Sequence, residues 1–349
     1  MSRITSPTLA SVMFSDRFCR LDLTGTPDGT VTLAVAVAGE GTVFENTYIA
    51  DAAGHVTVYD LDRVLEAYIP EVFASITLSV DGASAIEGGI KVFSCASRVD
   101  IPASSFLSSR FLTACTGTRH TLAGCRELLT AYVADGETAT VTAVYHYASE
   151  TTGPAGKITS QTFSLGVSAG LNTLDVSPAQ FVKPGMQLIS YTVQCGRRRA
   201  AYMVMAHAPE AGAAFWFRNR FGAPETLYAR GIRSTEPAYT RSTANIGGET
   251  RVYDITEVVS HKVSTGPMSA SMVPVAMDLA RASEVYALDV HGTAGAALLI
   301  TDCEVKHTDD PAELNILSFT YRPASRRTTE IEAQPSVNTF DSTFDDTFA

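Results

Sequence analysis

Short runs of alternating apolar and polar residues, each cut off by Gly, Asp or Asn, leave this chain little choice but β-structure. Thr30–Val37, read TVTLAVAV, is the clearest: every second side chain is Val or Leu, as a strand with one buried face requires. The same pattern predicts strands at Phe18–Leu23, Thr42–Ile49, His55–Tyr59, Ser75–Val80 and Gly89–Cys95. Helical spacing occurs in two places. Leu61, Val64, Leu65 and Tyr68 predict a short helix, and Met272, Val275, Ala276 and Leu279 predict another over Met272–Ala282, with Ser269 or Ser271 as its cap and Pro274 in its first turn.

A chain of 349 residues exceeds what one apolar core usually supports. We read four segments: a β-sandwich over 1–100, a second over 101–210, a β-rich unit with one helix over 211–326, and a tail over 327–349. The first two follow from short strands with turns every ~8–12 residues, the mark of sandwiches and barrels. The Asp28-Gly29 pair is a hairpin cue between the first strands, and ADGET reads as the turn of a hairpin joining Leu128–Val133 to Ala139–Tyr147. Further strands fall at Ile158–Leu165, Leu171–Val176, Met186–Gln194 and Ala201–Ala206. RVDIPASSFLSSR, residues 98–110, reads as a polar linker. In the third unit, Tyr239–Ile246 and Glu249–Ile255 pair around Asn245-Ile-Gly-Gly, and strands Val285–Val290, Ala297–Glu304 and Asn315–Tyr321 follow the helix. That order implies a sheet covered by one helix, so the fold class is mainly β with a sheet-plus-one-helix domain at the C-terminal end.

Composition narrows the function classes. With 45% hydrophobic and 18% charged residues the chain is globular, and a net charge of −11 argues against nucleic acid, whose phosphates need a basic face. No secretory leader or ~20-residue apolar span is read, so the expectation is a protein made and kept in a cytoplasm, with no membrane span. The six cysteines lack C-x-x-C spacing and read as buried free thiols, and nothing in the spacing supports a Cys115–Cys125 bridge.

The catalytic inventory is short. Gly166-Val-Ser168-Ala-Gly170 matches G-x-S-x-G, but a nucleophile elbow needs a helix after the serine, and LNTLDVSP reads as a strand. No two of the seven histidines stand at helical ligand spacing; His307-Thr-Asp309-Asp310 reads as a solvated acidic turn before Pro311. No catalytic, cofactor-binding or metal residue is assigned. Candidate assembly contacts are Trp216, the Arg197-Arg198-Arg199 run and the tail residues Phe340, Phe344 and Phe348. The arginines read as a solvated hairpin tip or as donors to a neighbouring subunit rather than a polyanion patch, Trp216 as packing within an aromatic cluster rather than a sugar-binding face, and the phenylalanines, four residues apart, either as a frayed tail or as an arm for a neighbour's groove.

Several segments carry a resemblance. FRNRFGAPETLYARG (217–231), AYTRSTANIGGETRVYDI (238–255), LARASEVYAL (279–288), LITDCEVKH (299–307), LNILSFTYRPA (314–324) and NTFDSTFDDTF (338–348) resemble uncharacterised tail or baseplate-region structural proteins of Bacteroidota phages and prophages, and TYIADAAGHVTVYDLDRVLEAYI (47–69) fits the same pattern. The resemblance implies a virion tail protein assembled in the host cytoplasm, without enzymatic activity or cofactors, whose partners are copies of itself and other phage tail proteins. The third unit's order is similar to tail-tube and distal-tail modules. Two other readings differ in what they require: a receptor- or glycan-binding tail-tip protein needs an exposed aromatic platform for the host surface, and a cell-wall or polysaccharide hydrolase needs paired carboxylates or a metal triad in a cleft.

Overall fold

In the computed structural model, which describes residues 2–147, 157–205, 213–288, 294–308, 310 and 313–325, the alternation of Thr30–Val37 becomes strict burial of every second side chain. Val31, Leu33 and Val35 are wholly inside, and they face Leu21, Leu23, Val56 and Val58 across one core. Two sheets supply it. Arg3–Ser6, Arg20–Thr24 and His55–Tyr59 form an antiparallel three-stranded sheet. The other runs Val12–Phe14, Ile90–Phe93, Phe73–Val80, Thr30–Val37 and Gly41–Ile49, with Ala83–Ser84 added beside Phe73–Val80. Helix α1, Leu61–Glu66, closes one end by burying Leu61 and Leu65. The architecture is mainly β, as the patterning predicted.

The Asp28-Gly29 turn does not make a hairpin. Arg20–Thr24 pairs with Arg3–Ser6 and His55–Tyr59, while Thr30–Val37 pairs with Gly41–Ile49 and Phe73–Val80, so the turn carries the chain from one sheet to the other. ADGET behaves alike. Leu128–Val133 pairs with Gly170–Asp175, and Ala139–Tyr147 pairs with Ile158–Leu165 and Met186–Cys195. Turn chemistry fixes a reversal of the chain, but both strands here need the same core between them, and that core draws them into opposite layers.

The second core lies between Leu128–Val133 with Gly170–Asp175 on one side and a five-stranded sheet on the other. That sheet runs Thr118–Leu122, Arg198–Met205, Met186–Cys195, Ala139–Tyr147, Ile158–Leu165, and its first pair is parallel. Tyr191 and Tyr202 stack in this core with ring centres 4.6 Å apart.

The third body is a seven-stranded sheet in the order Pro224–Ala229, Ala213–Arg218, Val285–Leu288, Ala294–Lys306, Ile316–Pro323, Glu249–Ser264, Arg233–Ile246. One helix covers it, as predicted. After a 3-10 turn at Ala270–Met272, a helix over Val273–Arg281 packs Val275, Ala276 and Leu279 against Phe215, Phe217 and Phe319. No side chain caps its start; Ser269 and Ser271 hydroxyls lie 3.0 Å from each other instead.

Residues 98–110 are no mere linker. Ala103–Ser109 forms a helix whose Phe106 and Leu107 are buried. Phe106 meets Phe14 of the first core edge-on at 5.4 Å and Phe221 of the third segment at 5.2 Å. Two apolar side chains among serines give no periodicity in sequence, yet they weld three parts of the chain together.

Candidate assembly surface

The tip of the Met186–Cys195 and Arg198–Met205 hairpin is only Gly196 and Arg197, with Gly196 in the left-handed region at φ 55°. Arg198 is therefore already in the strand, and alternation turns it inward, correcting the expectation of a solvated tip for this residue. It is 1% exposed. Its Nε donates to the Leu107 carbonyl at 2.7 Å, Nη2 to the Tyr132 carbonyl at 2.6 Å, and Nη1 to Glu137 Oε2 at 2.8 Å and the Cys195 carbonyl at 3.2 Å. Those bonds use the guanidinium within the chain, so Arg198 is no contact for a neighbour. Arg197 and Arg199 are exposed.

Trp216 lies on the face of its strand opposite buried Phe215 and Phe217 and is half-buried. Tyr286, its cross-strand partner, meets the ring edge-on at 5.4 Å, and the Arg218 guanidinium sits 5.7 Å above it, held by Glu284 at 2.6 Å. Phe340, Phe344 and Phe348 lie outside the described residues, as does Asp309. His307 engages Asn315 Oδ1 at 2.9 Å.

Ser168 stands in an exposed turn between two strands. Asn172 braces that turn: its Oδ1 accepts the Ser168 N–H at 3.1 Å, and its Nδ2 donates to the Ser168 and Gly170 carbonyls. A strand follows the serine, so the strained strand-to-helix elbow does not form.

Two deep polar centres escaped the sequence reading. Arg119 stands between Glu127, 3.7 Å away, and Glu225, all three almost wholly buried. Thr113 donates to Glu225 Oε1 at 2.6 Å, and Asn219 Nδ2 donates to Glu225 Oε2 at 2.6 Å and to the Leu112 carbonyl at 2.8 Å. Burial pushes the Glu127 carboxyl upward against the pull of Arg119 and of hydroxyls from Thr121 and Thr226. In the other centre Asp278, inside the C-terminal helix, takes Arg220 through both carboxylate oxygens, at 2.8 and 3.1 Å from Nε. Burial raises the Asp278 carboxyl also, with Arg220 opposing. Both centres tie distant segments together. An open cleft of about 640 Å³ near α1 gathers Asp16, Asp22, Asp62 and Glu66, with Arg17, Arg20 and Arg98 among them, so its carboxylates are interleaved with opposite charge. Among the described residues no three His, Cys, Asp or Glu side chains are grouped to hold a metal ion, and no helix is long and apolar enough to cross a membrane.

The hairpin Arg233–Ile246 and Glu249–Ser264 differs from everything else. It outruns the predicted strands by six residues at the base of the first strand and nine at the base of the second. Only His261–Ser264 are flanked by Ile316–Pro323, so among the described residues the ribbon beyond them has no strand but its own partner. Most of its side chains are exposed, Tyr239 at 53%, Val252 at 48% and Ile255 at 56%.

No family model matches the chain, and no curated protein does. Among solved structures, a chain in the cryo-electron microscopy structure of the anti-feeding prophage baseplate, six-fold symmetrised, aligns with 35% of this chain and 95% of its own length, at 15% identity and a TM-score of 0.23.

Proposed function

We propose that this protein is a non-enzymatic structural component of a bacteriophage tail, in the distal-tail or baseplate region, acting through subunit assembly. The observation that carries the assembly part is the ribbon: a two-stranded extension past the sheet's own core, with Tyr239, Val252 and Ile255 exposed on it. Apolar side chains left in water favour a covering partner, and among the described residues only the base of the ribbon has a neighbouring strand. The tail assignment rests on the segments that resemble phage tail proteins, residues 217–231 and 238–255 foremost. With this reading go the units 1–100, 101–210 and 211–326, the tail 327–349, Trp216, Arg197 and Arg199 as surface contacts, and a location in the virion.

Mass spectrometry of particles purified after induction of a strain carrying the gene, with antibody-labelled electron microscopy, tests it. The protein is expected at a fixed copy number with the label on the tail. Its absence from tailed particles would sink the assignment.

A further inference from the structure

One face of the ribbon is the more apolar. Up to the base, Tyr239, Pro237, Val259 and Ile255 share the face of Val263, which is buried in the third core beside the helix. Ser234, Glu236, Ala238, Thr240, Ser242 and Ile246 point the other way, with Ser260, Val258 and Thr256 across from them. Ile255 and Val252 are three residues apart and would fall on opposite faces of a regular strand. A bulge at Tyr253 prevents this: Ile255 pairs with Arg241 and Val252 with Thr243, two positions on the same face. The bulge carries the stripe on to Val252, after which Asn245 and Thr250 end it before the turn.

From these observations we propose that the apolar face of this hairpin docks against the same face of a second copy of the chain, a step that rests on the assembly reading above and names its partner. Three features select that occupant. The hairpin carries four cationic and four anionic side chains, so it is neutral within a chain of net charge −11; two copies repel least where they meet along it. Its apolar face carries Arg241 and Glu257 at neighbouring positions near the middle of the stripe, where Glu257 pairs with Tyr239. A two-fold axis through that point sets Arg241 of each copy against Glu257 of the other, as a self-matching interface requires. The size also fits: ten residues of each strand make a ribbon ~35 Å long, whose face presents on the order of 600–800 Å², near the ~800 Å² per partner of a stable interface.

Edge-to-edge pairing is the competing geometry, and the sequence works against it. Arg233–Ile246 is the outer strand, and Pro237 within it lacks the N–H that an added strand would need. The stripe is therefore met by a face stacked ~10 Å away rather than by a strand laid alongside.

Sedimentation velocity of the full chain over the micromolar range tests this. The wild type is expected to sediment as a dimer or a multiple of it. Val252→Asp with Ile255→Asp should give monomers with an unchanged far-ultraviolet spectrum, while Thr256→Asp on the polar face should leave the assembly intact. Arg241→Glu and Glu257→Arg should each weaken association by about tenfold or more, and the double reversal should recover it. A monomeric wild type overturns the proposal. So does an assembly indifferent to Val252 and Ile255, or a stripe occupied only when a different tail protein is added. A protein found in virions whose self-association ignores the hairpin would remove this inference and leave the tail assignment standing.

Discussion

Arg198 Nε donates to the backbone carbonyl of Leu107 across 2.7 Å, so a strand of the second core holds the last turn of the helix that carries Phe106. The same guanidinium binds the Tyr132 and Cys195 carbonyls and Glu137. Replacing it with Ala strands three buried carbonyls and leaves a cavity. We expect Arg198→Ala to cost about 3–5 kcal/mol in urea unfolding, and Arg198→Lys somewhat less, since an ammonium keeps the charge for Glu137 but lacks the planar fork that reaches all the acceptors. Arg197→Ala and Arg199→Ala, at exposed positions, should stay within about 0.5 kcal/mol. Equal effects at all three positions would contradict the inward placement.

The Arg119 centre holds one cation and two carboxylates of unequal value. Glu225 accepts from Thr113 and Asn219 as well as Arg119, whereas Glu127 reaches Arg119 at 3.7 Å and Thr226 at 3.4 Å. Removing the charge of Glu225 strips Arg119 of its near partner, and Glu225→Gln should destabilise by about 3–5 kcal/mol. Glu127→Gln leaves a one-to-one pair and should change stability by less than about 1 kcal/mol. Thermal or urea unfolding of the two variants side by side decides the ranking.

What could be read in advance followed from period and turn chemistry. Thr30–Val37, Met186–Cys195 and the apolar face of the C-terminal helix each announce themselves within a dozen residues. Pairing partners did not, because Asp28-Gly29 and Ala134–Glu137 reverse the chain equally well within a sheet or between two sheets. Nor did the ionic centres: Arg119, Glu127 and Glu225 are over a hundred positions apart at the extremes, and each alone looks like a surface charge. The ribbon was half legible. Its tip follows from Asn245-Ile-Gly-Gly, while its base, Arg233–Ala238 with Thr256–Ser264, is interrupted by Pro237 and polar residues that suit an edge strand in solvent.

The cysteines give a graded labelling pattern. All six are free; Cys95, Cys125 and Cys195 are buried, Cys115 and Cys303 half-buried, and Cys19 exposed, contrary to the expectation that all lie inside. Burial pushes the Cys95 and Cys125 thiols up to about 12, so neither supplies thiolate near neutrality. With an aromatic disulfide reagent at pH 8, Cys19 should react first in the folded protein, and Cys95 and Cys125 only on unfolding. Rapid loss of all six thiols without denaturant would contradict the packing.

Acid should separate Glu137 from Glu127, because their shifts have opposite sign. Burial works to raise Glu137, but the hydrogen bonds from Arg198 and the Ala134 N–H outweigh it and hold the carboxyl below its ordinary 4.5. A carboxyl depressed in the fold stabilises above its unfolded value, and that contribution disappears as pH falls through the folded one. The cost of Glu137→Gln should therefore be full at pH 7 and shrink as pH falls through the ordinary 4.5 and below it. Glu127 is raised by burial, so its ionisation opposes folding above the folded value, and the penalty is absent once the pH is below the unfolded one. Glu127→Gln should then gain on the wild type as pH rises from the acid side, the reverse trend. Urea unfolding of wild type and both variants across that range reads the two slopes directly, and slopes of like sign would mean that Arg119 rather than burial governs Glu127.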